Sequence, residues 1–515
     1  MPLSWNIVFV GAGGSGLSNL VGILRDLGFH KLIGIDSQPS QITEKLQAKG
    51  IKIFPHWTYK VTADDILIYS SAAEKSEEVQ QAKNWNKVES RNSAGLKAQQ
   101  RKPLLIRDYF EFLGEMSKYF KTVAFTGTNG KSSSTAMAIF AAKEILPEFW
   151  IGIVGALVPD FNGESYVISP LMTKVSWSGQ GEKGGSSTKH LSTSPTPPYE
   201  GGIKDIFNYL LTGRKLNYDL VKKYYFFLEA CEYQRHFLTL DPDTAIITSL
   251  ELDHMDYFKD REDYQSAFWE LIEKVKGNVY ALPNLNSKKI LTHPKIKVVP
   301  QQHFDFQHLR GDHQQQNASL VYALLNALTS GTQQKVIKKQ IEQFRGIRRR
   351  MEELTTTENG TKIFSDYGHV TSSLEVGLKA LKEKFPEKNL ICIFQPHQMH
   401  RILQGRNDFP TALAGYNERY IYNIYAAREN FQKIAEEFWG FQKIVDTLHQ
   451  SARQQPTNVE ELGEIFSQHC NATYLTNFNA VEKIIEKADA NDIIIIYSAG
   501  DIDYELRKYL KLLKT

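Results

Sequence analysis

Cysteine is scarce in this chain: Cys231, Cys392 and Cys470 stand far apart among 515 residues. That set offers neither a disulfide framework nor a paired zinc motif, and free thiols fit a reducing cytoplasm. Long apolar runs are missing too, since none approaches the ~18 residues of a membrane-crossing helix. The opening "MPLSWNIVFVGAGG" lacks a basic segment ahead of its short apolar run, so it does not read as a signal peptide. Charge of one sign is also absent. The 61 basic and 58 acidic residues leave a formal +3, which argues for neither a nucleic-acid nor a membrane partner. What remains is an ordinary globular composition, 42% hydrophobic and 23% charged, in a chain long enough for about two to four domains.

The pattern that is present is α/β. "NIVFV", "KLIGID" and "DDILIYSSAA" read as strands of one sheet, with "LSNLVGILRDLGF" an amphipathic helix between the first two. A polar stretch, Asn84 to Pro103, reads as an exposed insertion. A second α/β unit begins near Tyr109 with "TVAFTGTNGKS" and continues through "TAIITSLELDHMD" and the apolar helix "NASLVYALLNAL". Within it, Met172 to Gly202 is rich in Gly, Ser, Thr and Pro and reads as a long mobile loop. A third unit starts near Ile347, with "NLICIFQP" and "DIIIIYSAG" as strands. The expected domains are therefore 1–108, 109–346 and 347–515.

Two glycine-bearing turns carry chemistry. Gly11, Gly13 and Gly16 lie between a strand and a helix, and Asp36 ends the next strand. In that context glycines allow close backbone approach, and the helix N-terminus favours a pyrophosphate. A nicotinamide dehydrogenase or a tight turn without ligand would look the same at this level. The second turn, Gly127-Thr128-Asn129-Gly130-Lys131-Ser132, lacks the first glycine of the usual P-loop, where Phe125 stands. Its remaining parts suit ATP: backbone N–H groups aimed at phosphate, Lys131 for the outer phosphates and the Ser132 hydroxyl for Mg2+. A dehydrogenase has no use for a P-loop, so the pair favours ATP-driven chemistry on a second phosphate-bearing molecule. Glu229 closes the apolar run "YYFFL" at a strand's C-terminal end, where open α/β sheets keep their ligand residues.

The runs "VGAGGSGLS", "IYSSA", "GTNGKSS", "LEACEYQRHFLTLDP", "LELDHMDYFKD", "GDHQQQNA", "FRGIRRRMEE", "DYGH", "FQPHQMHR" and "SAGDI" together resemble the Mur ligase family over most of the chain. The resemblance implies three domains: a Rossmann-like UDP-binding domain, a P-loop ATPase domain and a C-terminal Rossmann-like domain. It also implies ATP-dependent attachment of L-alanine or a similar small amino acid to the carboxylate of UDP-N-acetylmuramate, through an acyl phosphate. Gly11, Gly13, Gly14, Ser15, Gly16, Asp36, Ser70 and Ser71 would then face the sugar nucleotide. Gly127 to Ser133 (Ser133 included), with Asn317 and Asp366, would face ATP. Ser132, Glu229 and His254 would hold Mg2+, or Mn2+ in its place, although imidazole is an unusual ligand for magnesium. Lys131, Glu229, His254 and Arg350 would be the catalytic set, with Glu232 close to Lys131 or substrate.

Each assignment has a plainer alternative. Asn317 also reads as a helix cap, Arg350 as part of a solvated run from Arg348, and Asp366 as an idle strand-end acid. The sequence departs from the family pattern at Gln314, Val370 and Thr371, and Gln398 stands where the family has an arginine. Amino-acid recognition would then fall on Arg401, beside His397. Rival functions are a ligase that attaches a preformed peptide, a nicotinamide oxidoreductase, and a non-catalytic nucleotide-binding regulator.

Overall fold

A computed structural model describes residues 5–37, 40–62, 65–92, 105–147, 149–169, 203–212, 224–254, 257–309, 311–427, 429–438 and 456–512. The segment Met172–Gly202 lies outside these residues. The chain forms two compact units, Met1–Arg345 and Gly346–Thr515, and the first of them contains two sheets.

The first sheet has five parallel strands: β1 (Asn6–Val10), β2 (Leu32–Ile35), β3 (Lys52–Phe54), β4 (Asp65–Tyr69) and β5 (Leu105–Asp108). Their order, β3-β2-β1-β4-β5, reverses direction between β1 and β4. Ligands of open α/β sheets bind at such a switch point, beyond the carboxyl ends of the strands. Here those ends are followed by the Gly11 turn and Ser70.

The second sheet holds β6 (Lys121–Thr126), β7 (Phe149–Val158), β8 (Glu164–Ile168), β9 (Tyr225–Glu229), β10 (Thr244–Ile247), β11 (Val279–Ala281) and β12 (Ile296–Val298), in the order β12-β11-β10-β6-β9-β7-β8. Only the β7–β8 pairing is antiparallel. The P-loop, Glu229 and Thr248 thus emerge from the carboxyl ends of three adjacent strands, β6, β9 and β10. One apolar core serves both sheets, with Phe9, Leu20 and Ile68 in the same cluster as Phe112, Phe226 and Ile247.

The second unit is a six-stranded sheet, β13-β14-β18-β15-β16-β17, with β13 (Glu352–Thr356), β14 (Lys362–Asp366), β15 (Asn389–Gln395), β16 (Glu418–Tyr422), β17 (Thr473–Leu475) and β18 (Asp492–Ser498). Its central strand explains the run "IIII". Ile493 and Ile495 pack into one core, and Ile494 and Ile496 into the core on the opposite face. A strand covered on both faces has no polar side to display.

Two expectations change. Asn84 to Asn92, the first part of the stretch read as an exposed insertion, continues the helix Glu77–Asn92, and the remainder to Pro103 lies outside the described residues. The stretch looks loop-like because Trp85 and Val88 are its only apolar residues, too few to show the apolar stripe that marks a helix. Asn317 does not open its helix: the helix runs Asp312–Leu328 from an N-cap at Gly311, so the capping alternative fails. Among the described residues, no helix is long and apolar enough to cross a membrane.

Candidate active site

In the first domain, Gly11 takes a φ of +83°, and a Cβ there would sit 2.3 Å from Ser70 Oγ. Ser70 and the turn therefore share one small space. The Gly13 N–H donates to Asp36 Oδ2 at 2.8 Å. Gly14 is the N-cap of the helix Ser15–Asp26 and brings no side-chain cap, so the first-turn amides keep the donors an anion requires. Gly16 serves packing, since a Cβ there would meet the Tyr109 ring at 2.9 Å. Ser71 is turned elsewhere and donates to Asp108 at 2.9 Å.

The P-loop is pinned from the side. Gly127 and Gly130 adopt φ values of +127° and +87°; a Cβ on Gly127 would lie 2.4 Å from Thr248 Oγ1, and one on Gly130 2.5 Å from Asn317 Oδ1. Asn317, buried inside its helix, therefore borders the loop. Thr128 Oγ1 donates to the Glu251 carbonyl (2.6 Å) and shares a 2.9 Å hydrogen bond with Tyr264. The Asn129 N–H donates to Ser249 Oγ at 2.7 Å. The helix Lys131–Ile145 starts from Gly130 without a side-chain cap, and Ser132 and Ser133 lie half-buried in its first turn.

Lys131 Nζ donates to the Gly127 carbonyl (2.5 Å), to the Thr128 carbonyl (3.1 Å) and to Glu232 Oε1 (2.8 Å). Glu232 is fully buried, and its Oε2 has no partner among the described residues. Burial pushes the Glu232 carboxyl up, but the charge of Lys131 and the hydrogen bonds from Lys131 and His254 together hold the group below the usual range. Burial likewise pulls Lys131 down, and Glu232 reverses that. The Cys231 thiol between the two glutamates is raised to about 12, first by burial and then by Glu232, so it stays protonated.

Ser132 Oγ donates to Glu229 Oε1 at 3.0 Å, and the Gly155 N–H donates to Glu229 Oε2 at 2.7 Å. A hydroxyl and a carboxylate held together supply the hard oxygens that Mg2+ prefers, with phosphate and water to complete the shell. These two residues fit the ion. His254, with a strained φ of +57°, points its Nε2 at Glu232 Oε1 (3.7 Å) and Asp253 Oδ2 (4.0 Å). No group of three or more His, Cys, Asp or Glu among the described residues is arranged to hold a metal by itself.

In the second unit, Arg349 turns inward: it donates to the Ser498 carbonyl, its Nε lies 3.7 Å from Asp503, and its guanidinium lies 4.8 Å from the Tyr367 ring. Arg350 is exposed. Of the two, Arg350 is the guanidinium available to a ligand. Asp366 accepts from the Met351 N–H (2.7 Å) and the Gly368 N–H (2.6 Å), so one oxygen fastens its own loop and the other the chain entering β13. His397 stacks on Tyr425 and lies 5.7 Å from the His369 ring, and its buried Nδ1 has no partner among the described residues. Burial, then the Arg401 charge, lowers His397 to about 4 and His369 to about 3. Both are neutral at pH 7. Arg401 Nε donates to Gln398 Oε1 at 3.4 Å, and Gln398 carries a strained φ of +67°.

Sequence reasoning missed Thr248, Ser249, Tyr264 and Gly155. The first two follow a strand, which was a usable signal. Tyr264 gave none. Gly155 sits within a strand, where a glycine marks close approach of another group.

Three family models match in chain order: "Mur ligase family, catalytic domain" over 6–120, "Mur ligase middle domain" over 208–342 and "Mur ligase, glutamate ligase domain" over 349–500. A UDP-N-acetylmuramate–L-alanine ligase of Acetivibrio thermocellus is 28% identical, covering 96% of this chain and 94% of that protein. Among solved structures, a UDP-N-acetylmuramate–alanine ligase of Thermotoga maritima aligns with a TM-score of 0.68 at 18% identity, covering 99% of each chain. A murein peptide ligase of Psychrobacter arcticus aligns with a TM-score of 0.57 at 18% identity, over 99% of this chain and 98% of that one. Both structural likenesses concern the fold.

Proposed function

The chain belongs to the Mur ligase family, and from that premise we propose that it uses ATP to join L-alanine, or a similarly small amino acid, to UDP-N-acetylmuramate. The product would be a peptidoglycan precursor. The observation that carries this reading is the clustering of Lys131, Ser132, Glu229 and Glu232 around one P-loop. The near full-length likeness to a protein named for that reaction supports the choice of substrates.

A carboxylate carbon is a poor electrophile. In the first step a muramyl carboxylate oxygen bonds to the γ-phosphorus as the bridging bond to ADP breaks, giving an acyl phosphate. The amine then attacks the carbonyl carbon, phosphate leaves, and the nitrogen gives up a proton. Phosphoryl transfer needs positioning and charge neutralisation more than covalent help. Lys131 brings a fixed positive charge to the β/γ-phosphates. Ser132 and Glu229, with His254 as a third candidate, would hold Mg2+, whose charge would help neutralise the phosphates when bound. Arg350 would add a second cation from the C-terminal domain, and Asn317 would border the nucleotide beside Gly130. The open first-turn amides of the helix Ser15–Asp26, reached through the Gly11 to Gly16 turn, would hold the UDP pyrophosphate together with Ser70. Arg401 would grip the amino-acid carboxylate, with His397, kept neutral, beside it as a hydrogen-bond acceptor. A reducing cytoplasm suits the three free thiols.

The test is ADP release with UDP-N-acetylmuramate plus L-alanine, plus a preformed tripeptide, or plus neither. Release with L-alanine supports the reading. Release only with the peptide would move the protein to the peptide-attaching branch, and NADH oxidation without UDP-sugar dependence would replace the reading altogether.

A further inference from the structure

Glu229 is oriented partly from outside its own domain. Its Oε2 accepts from the Gly155 N–H at 2.7 Å, and a Cβ on Gly155 would lie 2.8 Å from that oxygen. Gly155 falls where the β7–β8 pairing shifts register, between Ile153 and Val158. Such an interruption frees backbone groups from the ladder and re-aims them. The freed N–H of Gly155 goes to Glu229. The carbonyl of the preceding residue, Val154, accepts from Asn19 Nδ2 at 3.0 Å.

Asn19 belongs to the helix that leaves the glycine turn of the first domain. It is 2% exposed, and its Oδ1 accepts from Ser165 Oγ on β8. Both ends of its amide therefore grip the same hairpin, which gives it the geometry of a clamp. Gly22 and Asp26 lie on the same helix face, three and seven positions on. A Cβ on Gly22 would clash with the Tyr166 ring at 2.5 Å, and Tyr166 donates to Asp26 at 2.6 Å. Tyr166 docks the hairpin, whereas Asn19 hydrogen-bonds the peptide unit whose N–H holds Glu229.

We infer that Asn19 is a positioning residue for the metal-facing carboxylate: through the Val154–Gly155 peptide it ties the sugar-nucleotide helix to Glu229. This rests on the reading of Glu229 as a metal ligand. A deformed clamp swings the Gly155 N–H, and Glu229 loses the partner that fixes its Oε2. Groups that orient a ligand carboxylate from behind commonly change metal affinity by about 10- to 100-fold when removed.

The experiment measures Mn2+ binding in the presence of ADP, without turnover, by electron paramagnetic resonance of free Mn2+. Glu229→Gln should abolish tight binding, Gly155→Ala should weaken it about 10-fold or more, and Asn19→Ala about 3- to 10-fold. The Asn19→Ala/Gly155→Ala double variant should bind no more weakly than Gly155→Ala alone, because both act through one amide. Tyr166→Phe, which loosens the same interface elsewhere, should lower the melting temperature and leave Mn2+ affinity unchanged. Additive effects in the double variant, equal weakening by Tyr166→Phe, or unchanged affinity in folded Asn19→Ala would each overturn the inference. Unchanged affinity in Glu229→Gln would instead overturn the metal-ligand reading beneath it.

Discussion

The turns at Gly11–Gly16 and Gly127–Lys131 share a buried parallel strand, a first glycine at positive φ (Gly11, Gly127) and a helix without a side-chain cap. They differ in what surrounds them. The first turn has an acid against it, since Asp36 takes the Gly13 N–H. The second carries Lys131, already paired with the buried Glu232, and its backbone is pinned by Thr248 and Ser249. A turn that only binds a pyrophosphate needs open amides. One that moves a phosphoryl group needs a cation and carboxylates held still before the substrate arrives.

The sharpest way to break that contrast is to remove the cation. Lys131→Met should cut ADP formation on the order of a thousand-fold or more. It should also destabilise the protein by about 3 kcal/mol, because Glu232 is left buried and unpaired. Adding Glu232→Gln should restore the melting temperature but not the turnover. Recovery of turnover in the double variant would remove Lys131 from phosphate chemistry.

The equivalent attack on the first turn should act on affinity alone. A Cβ on Gly13 would lie 2.9 Å from Asp36 Oδ2 and 3.0 Å from Thr43 Cγ2, so Gly13→Val must push Asp36 off its amide. UDP-N-acetylmuramate binding, followed calorimetrically, should weaken roughly ten-fold or more while ATP binding is spared. Equal weakening of both would erase the distinction between the turns.

The C-terminal cluster gives smaller effects. Arg401→Lys keeps the charge and loses the two-pronged fork, so the KM for the amino acid should rise about several-fold with that for ATP barely changed. Identical KM values for the amino acid would exclude Arg401 from its recognition. Smallest is a pH effect from His397, whose folded pKa of about 4 lies below its ordinary 6.5. Below 6.5 the unfolded chain binds the proton first, so stability is lost as pH falls through that window toward 4. His397→Asn should flatten this decline in melting temperature; an unaltered pH profile would show that His397 is not buried neutral.

Some of this was written in local pattern. The Ile493 to Ile496 run reads as a strand, and Gly130-Lys131-Ser132 after "TVAFT" reads as a turn that presents amides, a cation and a hydroxyl together. Glu229 was legible because the residue closing a buried strand of an open sheet stands at its ligand edge. The arginine register was not, since three adjacent arginines are equivalent until Asp503 and the Ser498 carbonyl select Arg349 for the interior.

The sequence by itself determined the three-part α/β plan and the phosphate chemistry, because strand burial and glycine turns depend on neighbours along the chain. Only the tertiary structure decided that Asn317 borders Gly130, that Glu232 neutralises Lys131, and that Gly155 and Asn19 stand behind Glu229. Those contacts join residues 74 or more positions apart, and no local periodicity records which distant backbone group a side chain will meet. In each, a buried donor or acceptor had to find a partner, and the packed sheets, not the motif, fixed which one lay within reach.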